Sequence, residues 1–282
     1  MTKPATLCKL DHRGLIAISG TDCLDFLQGI VSNDMNKVAA GNAVFATLLT
    51  PQGKFLFDFF IIPFEGGVLL DCDRSVMDAL MKKLKMYKLR SDVTLTERDD
   101  LLVVGVYDQG DNFDTGLIAG ATKVFADPRS DRAGLRAIIA PEKFDKLAAS
   151  SDFNVVDAVD YDRHRLRCAL PEGTLDLIPE KSTLLENGYD HLNAIDWDKG
   201  CYMGQELTAR TKYRGLVKKR LIPVTIDGPA PDAGSEITQD GKNVGEMRSS
   251  RHDLGMALIR AEALETDTPL LCQGATLIPR NP

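Results

Sequence analysis

The chain has 282 residues, 44% of them hydrophobic and 27% charged, the composition of an ordinary globular protein with room for two or three modest domains. Its formal net charge of −7 speaks against whole-surface attraction to nucleic acid or anionic lipid, while leaving local patches open. No apolar run approaches the roughly 18 residues of a membrane span. The opening MTKPATLCKLDHRG has no apolar core of signal-peptide length, so a cytoplasmic location is expected, with no membrane partner. Six cysteines, at 8, 23, 72, 168, 201 and 272, and four histidines, at 12, 164, 191 and 252, are scattered without any CxxC, so neither a metal site nor a disulfide framework is expected.

In chain order, residues 22–30 read as a short helix with Leu24, Phe26 and Leu27 inward. Residues 43–62 read as two strands around the turn Thr50-Pro51-Gln52-Gly53. From Arg74 to Lys88 the positions Val76, Leu80, Leu84 and Tyr87 keep helical spacing, and Lys82, Lys83, Lys85 and Lys88 gather where they complement the helix dipole. Strands follow at 93–97 and 101–107, and an Asp/Gly-rich loop at 108–116 marks a subdomain boundary. A second mixed stretch has strand 134–140, helix 141–149, strand 153–159 and helix 160–169. Arg163, Arg165 and Arg167 on that last helix read as surface salt bridging, with Asp176 and Glu180 in the loop beyond. After residue 216 the texture changes to short β runs at 221–226, 235–239, 243–248, 255–260 and 275–278, the pattern of a small barrel or sandwich. The expected division is 1–215, with subdomains of about 1–107 and 117–215, followed by 216–282.

The densest chemistry lies in Lys199-Gly200-Cys201-Tyr202-Met203-Gly204-Gln205-Glu206. Glycines at 200 and 204 allow tight backbone around the cysteine. Residues 206–213 can form a helix, which places Cys201 just before its N-terminus and beside the Lys199 ammonium. Both favour thiolate, below the free-cysteine value of about 8.5. Seven basic residues fall between 199 and 220 with Glu206 as the only acid, a local patch for a polyanion such as a polyglutamate tail or a nucleic-acid backbone. A buried apolar cysteine and a solvated charged face are the plainer alternatives. Asp58 is the second candidate. It alternates with Leu56, Phe60 and Ile62 while Phe55, Phe57, Phe59 and Ile61 form the other face, so an acid stands among apolar residues on either reading. Unless paired, such a carboxylate has a raised pKa and suits acid/base work or ligand binding, whereas an edge position or a buried salt bridge would make it structural.

KGCYMGQE resembles the signature of the YgfZ proteins, which is shared by a related mitochondrial iron–sulfur assembly factor. GTDCLDFLQGIVSNDMNKV, LLTPQGKFLFDFFI, YDRHRLRCALPEG, LDLIPEKSTLLE, ARTKYRGLVKKR and the VGEMRSS and LGMALIR blocks follow in the family's order. The resemblance implies an α+β fold like the glycine-cleavage T-protein: two α+β subdomains forming a folate-binding core, plus a small C-terminal β-barrel. It implies a tetrahydrofolate-binding accessory protein, with folate or a one-carbon derivative as cofactor, that supports iron–sulfur cluster assembly or repair and, indirectly, tRNA modification. Lys199 and Cys201 would form the functional core. Gln205, Glu206, Arg210 and Arg214 would shape or charge the site, and Asp58 and Glu180 would contact folate. Asp58, in GKFLFD, is similar to the aspartate of the T-protein GGxxxD strand, which keeps aminomethyl transfer open as an enzymatic alternative. Expected partners are folate and iron–sulfur client or assembly proteins. A tRNA-binding module ranks behind them, and the protein is expected to be a monomer.

Overall fold

A computed structural model describes residues 4–108, 115–215 and 217–281. The centre of the expected boundary loop at 108–116 and the boundary residue 216 lie outside the described residues. The chain begins with β1 (Ala5–Lys9), β2 (Arg13–Ser19), α1 (Cys23–Gln28), α2 (Met35–Ala39), β3 (Val44–Leu49), β4 (Phe55–Phe64), β5 (Gly67–Asp73) and α3 (Met77–Tyr87). It continues through β6 (Thr94–Glu97), β7 (Leu102–Tyr107), β8 (Lys123–Ala126), β9 (Leu135–Ile139), α4 (Pro141–Ala148), β10 (Phe153–Val156), α5 (Ala158–Arg167), α6 (Gly173–Asp176) and α7 (Gln205–Arg214). The last strands are β11 (Lys219–Asp227), β12 (Glu236–Gln239), β13 (Lys242–Arg251), β14 (Leu254–Arg260), β15 (Leu270–Cys272) and β16 (Ala275–Pro279).

Two compact units form: the first takes described residues of 1–48, 57–161 and 193–203, the second those of 49–56, 162–192 and 204–282. The first holds two five-stranded sheets, ordered β3-β4-β5-β2-β6 and β10-β1-β7-β9-β8. One face of β4 sends Phe59 and Ile61 into a core with Phe26, Leu27, Leu70, Leu80 and Leu84, where α1 and α3 cover the sheet. The opposite face carries Asp58, Phe60 and, across the β4–β5 ladder, Asp71. Phe60 there packs on Phe45 and Phe125. Burial on both faces explains the apolar run of β4, which Asp58 interrupts. In the second unit β11-β14-β13-β12-β15-β16 close into a barrel around Val224, Ile237, Met247, Ile259 and Leu277.

Some elements differ from the sequence reading. The strand expected over 153–159 ends at Val156, because Asp157 accepts the Val159 and Asp160 N–H groups and so starts α5 early. The short strands β8 and β15 carry too few residues to show a period. Arg165 is not a surface residue: it is 2% exposed, bonds Asp162, Asp176 and Ser249, and Asp176 itself is fully buried at the end of α6.

Candidate functional site

In the first unit, residues 193–203 are tied along their length to the connection between α1 and α2. Asn33 Nδ2 donates to Phe45 O at 2.8 Å and to Asn193 O at 2.7 Å, and the Ser32 hydroxyl donates to Ala194 O at 2.6 Å. The Asp196 N–H reaches Ser32 O at 3.0 Å and the Met203 N–H reaches Gly29 O at 3.1 Å. Asp196 then organises the turn ahead of the cysteine. Its Oδ1 accepts the Asp198 and Lys199 N–H groups, and its Oδ2 pairs with Lys37 at 2.8 Å. Partial burial would raise the Asp196 pKa, but Lys37 and the two N–H donors outweigh it and hold the carboxyl below its ordinary range.

Lys199 is the pin of this loop. Its ammonium donates to three backbone carbonyls, those of Gln28 at 2.9 Å, Val31 at 2.6 Å and Asn33 at 2.8 Å, and lies 5.0 Å from the ring centroid of buried Tyr202. Burial pulls its pKa down to about 8, with Asp34 and Asp196 acting in the opposite sense. Since all three ammonium hydrogens are engaged, Lys199 can influence Cys201 only by its charge and by holding the loop. Its ammonium is likewise turned inward rather than offered to a polyanion.

Cys201 is exposed, whereas the other five cysteines are buried. Burial pushes the Cys8 and Cys72 thiols up to about 12 and Cys23 to about 11, and raises Cys272 as well. A thiol must be reachable and ionisable to act as nucleophile or soft ligand, and Cys201 alone of the six is reachable. Tyr202, Met203 and Gly204 separate it from the first residue of α7.

Gly204 caps α7 with φ of 82°, and a Cβ there would lie 2.4 Å from Thr50 O, so the second glycine of the motif is fixed by conformation and by close approach. Gly200 shows neither constraint: its φ is not positive and a Cβ would meet nothing within 4 Å, which corrects the expectation of tight backbone there. On α7 Gln205 is half-buried, while Glu206, Arg210 and Arg214 are exposed four residues apart along one face. Lys212, Lys218, Lys219 and Arg220 are exposed too. Glu180, also in the second unit, is exposed with φ of 63°, and its N–H donates to Phe55 O at 2.8 Å.

Asp58 is buried on β4 in the first unit. Its sheet face carries a cluster that pattern reading missed. Asp71 accepts from Arg13 at 2.6 Å and from Arg136 at 2.7 Å, and Asp127 pairs with Arg129 at 2.8 Å. The three guanidiniums surround the Phe60 ring at 4.2 Å (Arg136), 4.9 Å (Arg129) and 5.7 Å (Arg13) from its centroid. Burial alone would raise both carboxyls, yet the arginines hold each below its ordinary range. Among the described residues no cluster of three or more metal-ligating side chains occurs.

The two-sheet unit and the barrel together define a protein of the aminomethyltransferase T fold. The crystal structure of the glycine cleavage system aminomethyltransferase T from Bartonella henselae matches 99% of this chain and 85% of its own, with a TM-score of 0.81 at 14% identity. A family model described as the CAF17 C-terminal beta-barrel domain matches residues 218–282. The mitochondrial iron–sulfur cluster assembly factor IBA57 of Mus musculus is 33% identical over 285 residues, covering 92% of this chain and 79% of its own. Its Homo sapiens counterpart is 33% identical over 280 residues, covering 91% and 78%. The chain belongs to the IBA57 family of iron–sulfur cluster assembly factors. The expected T-protein-like fold is thus found, but the cytoplasmic expectation is overturned, because these relatives are mitochondrial proteins. The lack of an apolar signal could not have shown this, since mitochondrial transit segments are amphipathic and arginine-rich rather than apolar.

Proposed function

We propose that this chain serves iron–sulfur cluster assembly or repair through Cys201, with a tetrahydrofolate as its bound cofactor and tRNA modification among the processes its clients sustain. The observation that carries the reading is the selective exposure of Cys201 on a loop pinned by Lys199, in a chain whose relatives are named iron–sulfur cluster assembly factors. A fixed, exposed thiol can ligate a soft metal as its thiolate and pass it on by ligand exchange with an assembly or client protein, whereas the buried thiols cannot.

The side chains present fit a reduced folate by their chemistry. Within the second unit the Glu180 carboxylate suits a pterin N–H donor and Gln205 offers both a donor and an acceptor, and in the first unit the Asp58 carboxylate is of the same chemistry. Exposed Arg210 and Arg214 suit the carboxylates of a glutamate tail, and Glu206 limits the positive stripe at its start. When bound, tetrahydrofolate supplies a one-carbon carrier. Aminomethyl transfer is the second reading, favoured by the buried acid at Asp58 in a T-protein fold.

A strain lacking the gene decides between them. Wild type should restore the activity of iron–sulfur enzymes, and Cys201→Ser should fold and accumulate normally but fail to restore it. Full rescue by Cys201→Ser removes the thiol from the function. Conversion of an aminomethyl-lipoyl carrier and tetrahydrofolate into methylene-tetrahydrofolate, ammonia and the free lipoyl thiol by the purified protein would move the assignment to the second reading.

A further inference from the structure

The C-terminal turn of α3 presents apolar side chains inside a basic collar. Leu80 and Leu84 face the core, but Met86 is 55% exposed and Leu89 is 84% exposed. Leu89 directly follows the C-cap residue Lys88 and has φ of 46°, the left-handed conformation in which helices usually place glycine. A bulky aliphatic residue is strained there. Folding gains nothing from it, because the side chain stands in water and glycine would end the helix with less strain. Leu89 is therefore explained by what it meets outside the fold.

Five basic residues, Lys82, Lys83, Lys85, Lys88 and Arg90, lie along the end of α3 and just beyond it, and no acid occurs between Ala79 and Ser91. Two have local roles: Lys88 donates to Val93 O at 2.6 Å, and the Lys83 ammonium sits 5.7 Å from the Tyr87 ring centroid. Lys82, Lys85 and Arg90 are exposed and, among the described residues, form no ion pair. The basic zone stops abruptly at Asp92, whose carboxylate accepts from Thr21 and whose N–H donates to Asp22. An extended anionic bilayer would face those acids, and a chain of net charge −7, as well as the collar. A compact acidic patch on a protein would face the collar alone. We propose that Met86 and Leu89, with Lys82, Lys85 and Arg90, dock a protein partner that offers an apolar face flanked by carboxylates.

The test uses the full chain and a fluorescent amphipathic peptide with leucines on one face flanked by glutamates. A charge-matched peptide with glutamine in place of leucine, and phosphatidylserine-containing vesicles, are the other arms. Wild type should bind the leucine peptide in preference to both. Leu89→Gly should weaken that binding by roughly tenfold or more while the melting temperature holds or rises, since glycine relieves the strain. Arg90→Glu should weaken it as well. No binding by wild type, unchanged affinity in Leu89→Gly, equal binding of the glutamine peptide, or preference for the vesicles would each overturn the proposal.

Discussion

Replacing Lys199 with methionine keeps most of the side-chain volume and removes the ammonium that joins residues 193–203 to the α1–α2 connection. Three carbonyls, of Gln28, Val31 and Asn33, then lose donors now at 2.6–2.9 Å. Hydrogen bonds to charged groups contribute about 1.5–3 kcal/mol each, but removing the ammonium also removes its desolvation cost, so a net loss of about 3 kcal/mol is reasonable. At about 2 °C per kcal/mol for a chain of this size, the melting temperature should fall by roughly 6 °C. Thermal unfolding read by circular dichroism measures the fall, and iodoacetamide labelling of Cys201 run in parallel separates two accounts. If Lys199 acts only as a neighbouring charge, labelling slows and the melting temperature stays put. An unchanged melting temperature therefore refutes the role of Lys199 as a pin.

Other outcomes follow from the same geometry. The native Lys199 pKa, near 8, lies below its ordinary value, so between these values the unfolded chain holds a proton the native state has lost. Wild-type stability should accordingly rise with pH from about 8 to 10 relative to Lys199→Met, measured by urea unfolding at each pH. Asp71→Asn leaves Arg13 and Arg136 buried without their carboxylate and should cost about 3–5 kcal/mol in the same assay. Because the native Asp71 pKa is depressed, its stabilisation is present above the unfolded value and is lost as pH falls through the native one, so wild type should converge on the variant in acid. Gly204→Ala should destabilise by about 2 kcal/mol or more, through positive φ and the approach to Thr50 O, whereas Gly200→Ala should melt like wild type. Asp58→Asn should weaken tetrahydrofolate binding, seen as a smaller ligand-induced melting shift, while the unliganded protein melts near wild type.

Elements with a clear period were readable from the chain: α1, the β3–β4 hairpin, α3, α7 and most barrel strands. The motif also singled out Cys201, and the structure leaves that thiol exposed. The pinning contacts of Lys199 were not readable, because its carbonyl acceptors lie 166–171 positions away in sequence and backbone acceptors leave no mark on residue type. Arg13, Asp71 and Arg136 come together across separations of 58 and 65 residues, so no local pattern reveals them. Arg165 shows the opposite hazard. Alternating charges suggested a solvated face, yet its partners Asp162 and Asp176 are close in sequence and all are buried together. Charge alternation fixes which residues can pair, whereas burial depends on what packs over them.

The most direct test of the account is native-state alkylation, with each cysteine followed by mass spectrometry at neutral pH. Cys201 should be modified first, while Cys8, Cys23, Cys72, Cys168 and Cys272 should react only after denaturation. Protection of Cys201 to the same degree as the buried five would contradict an exposed working thiol and the function built on it.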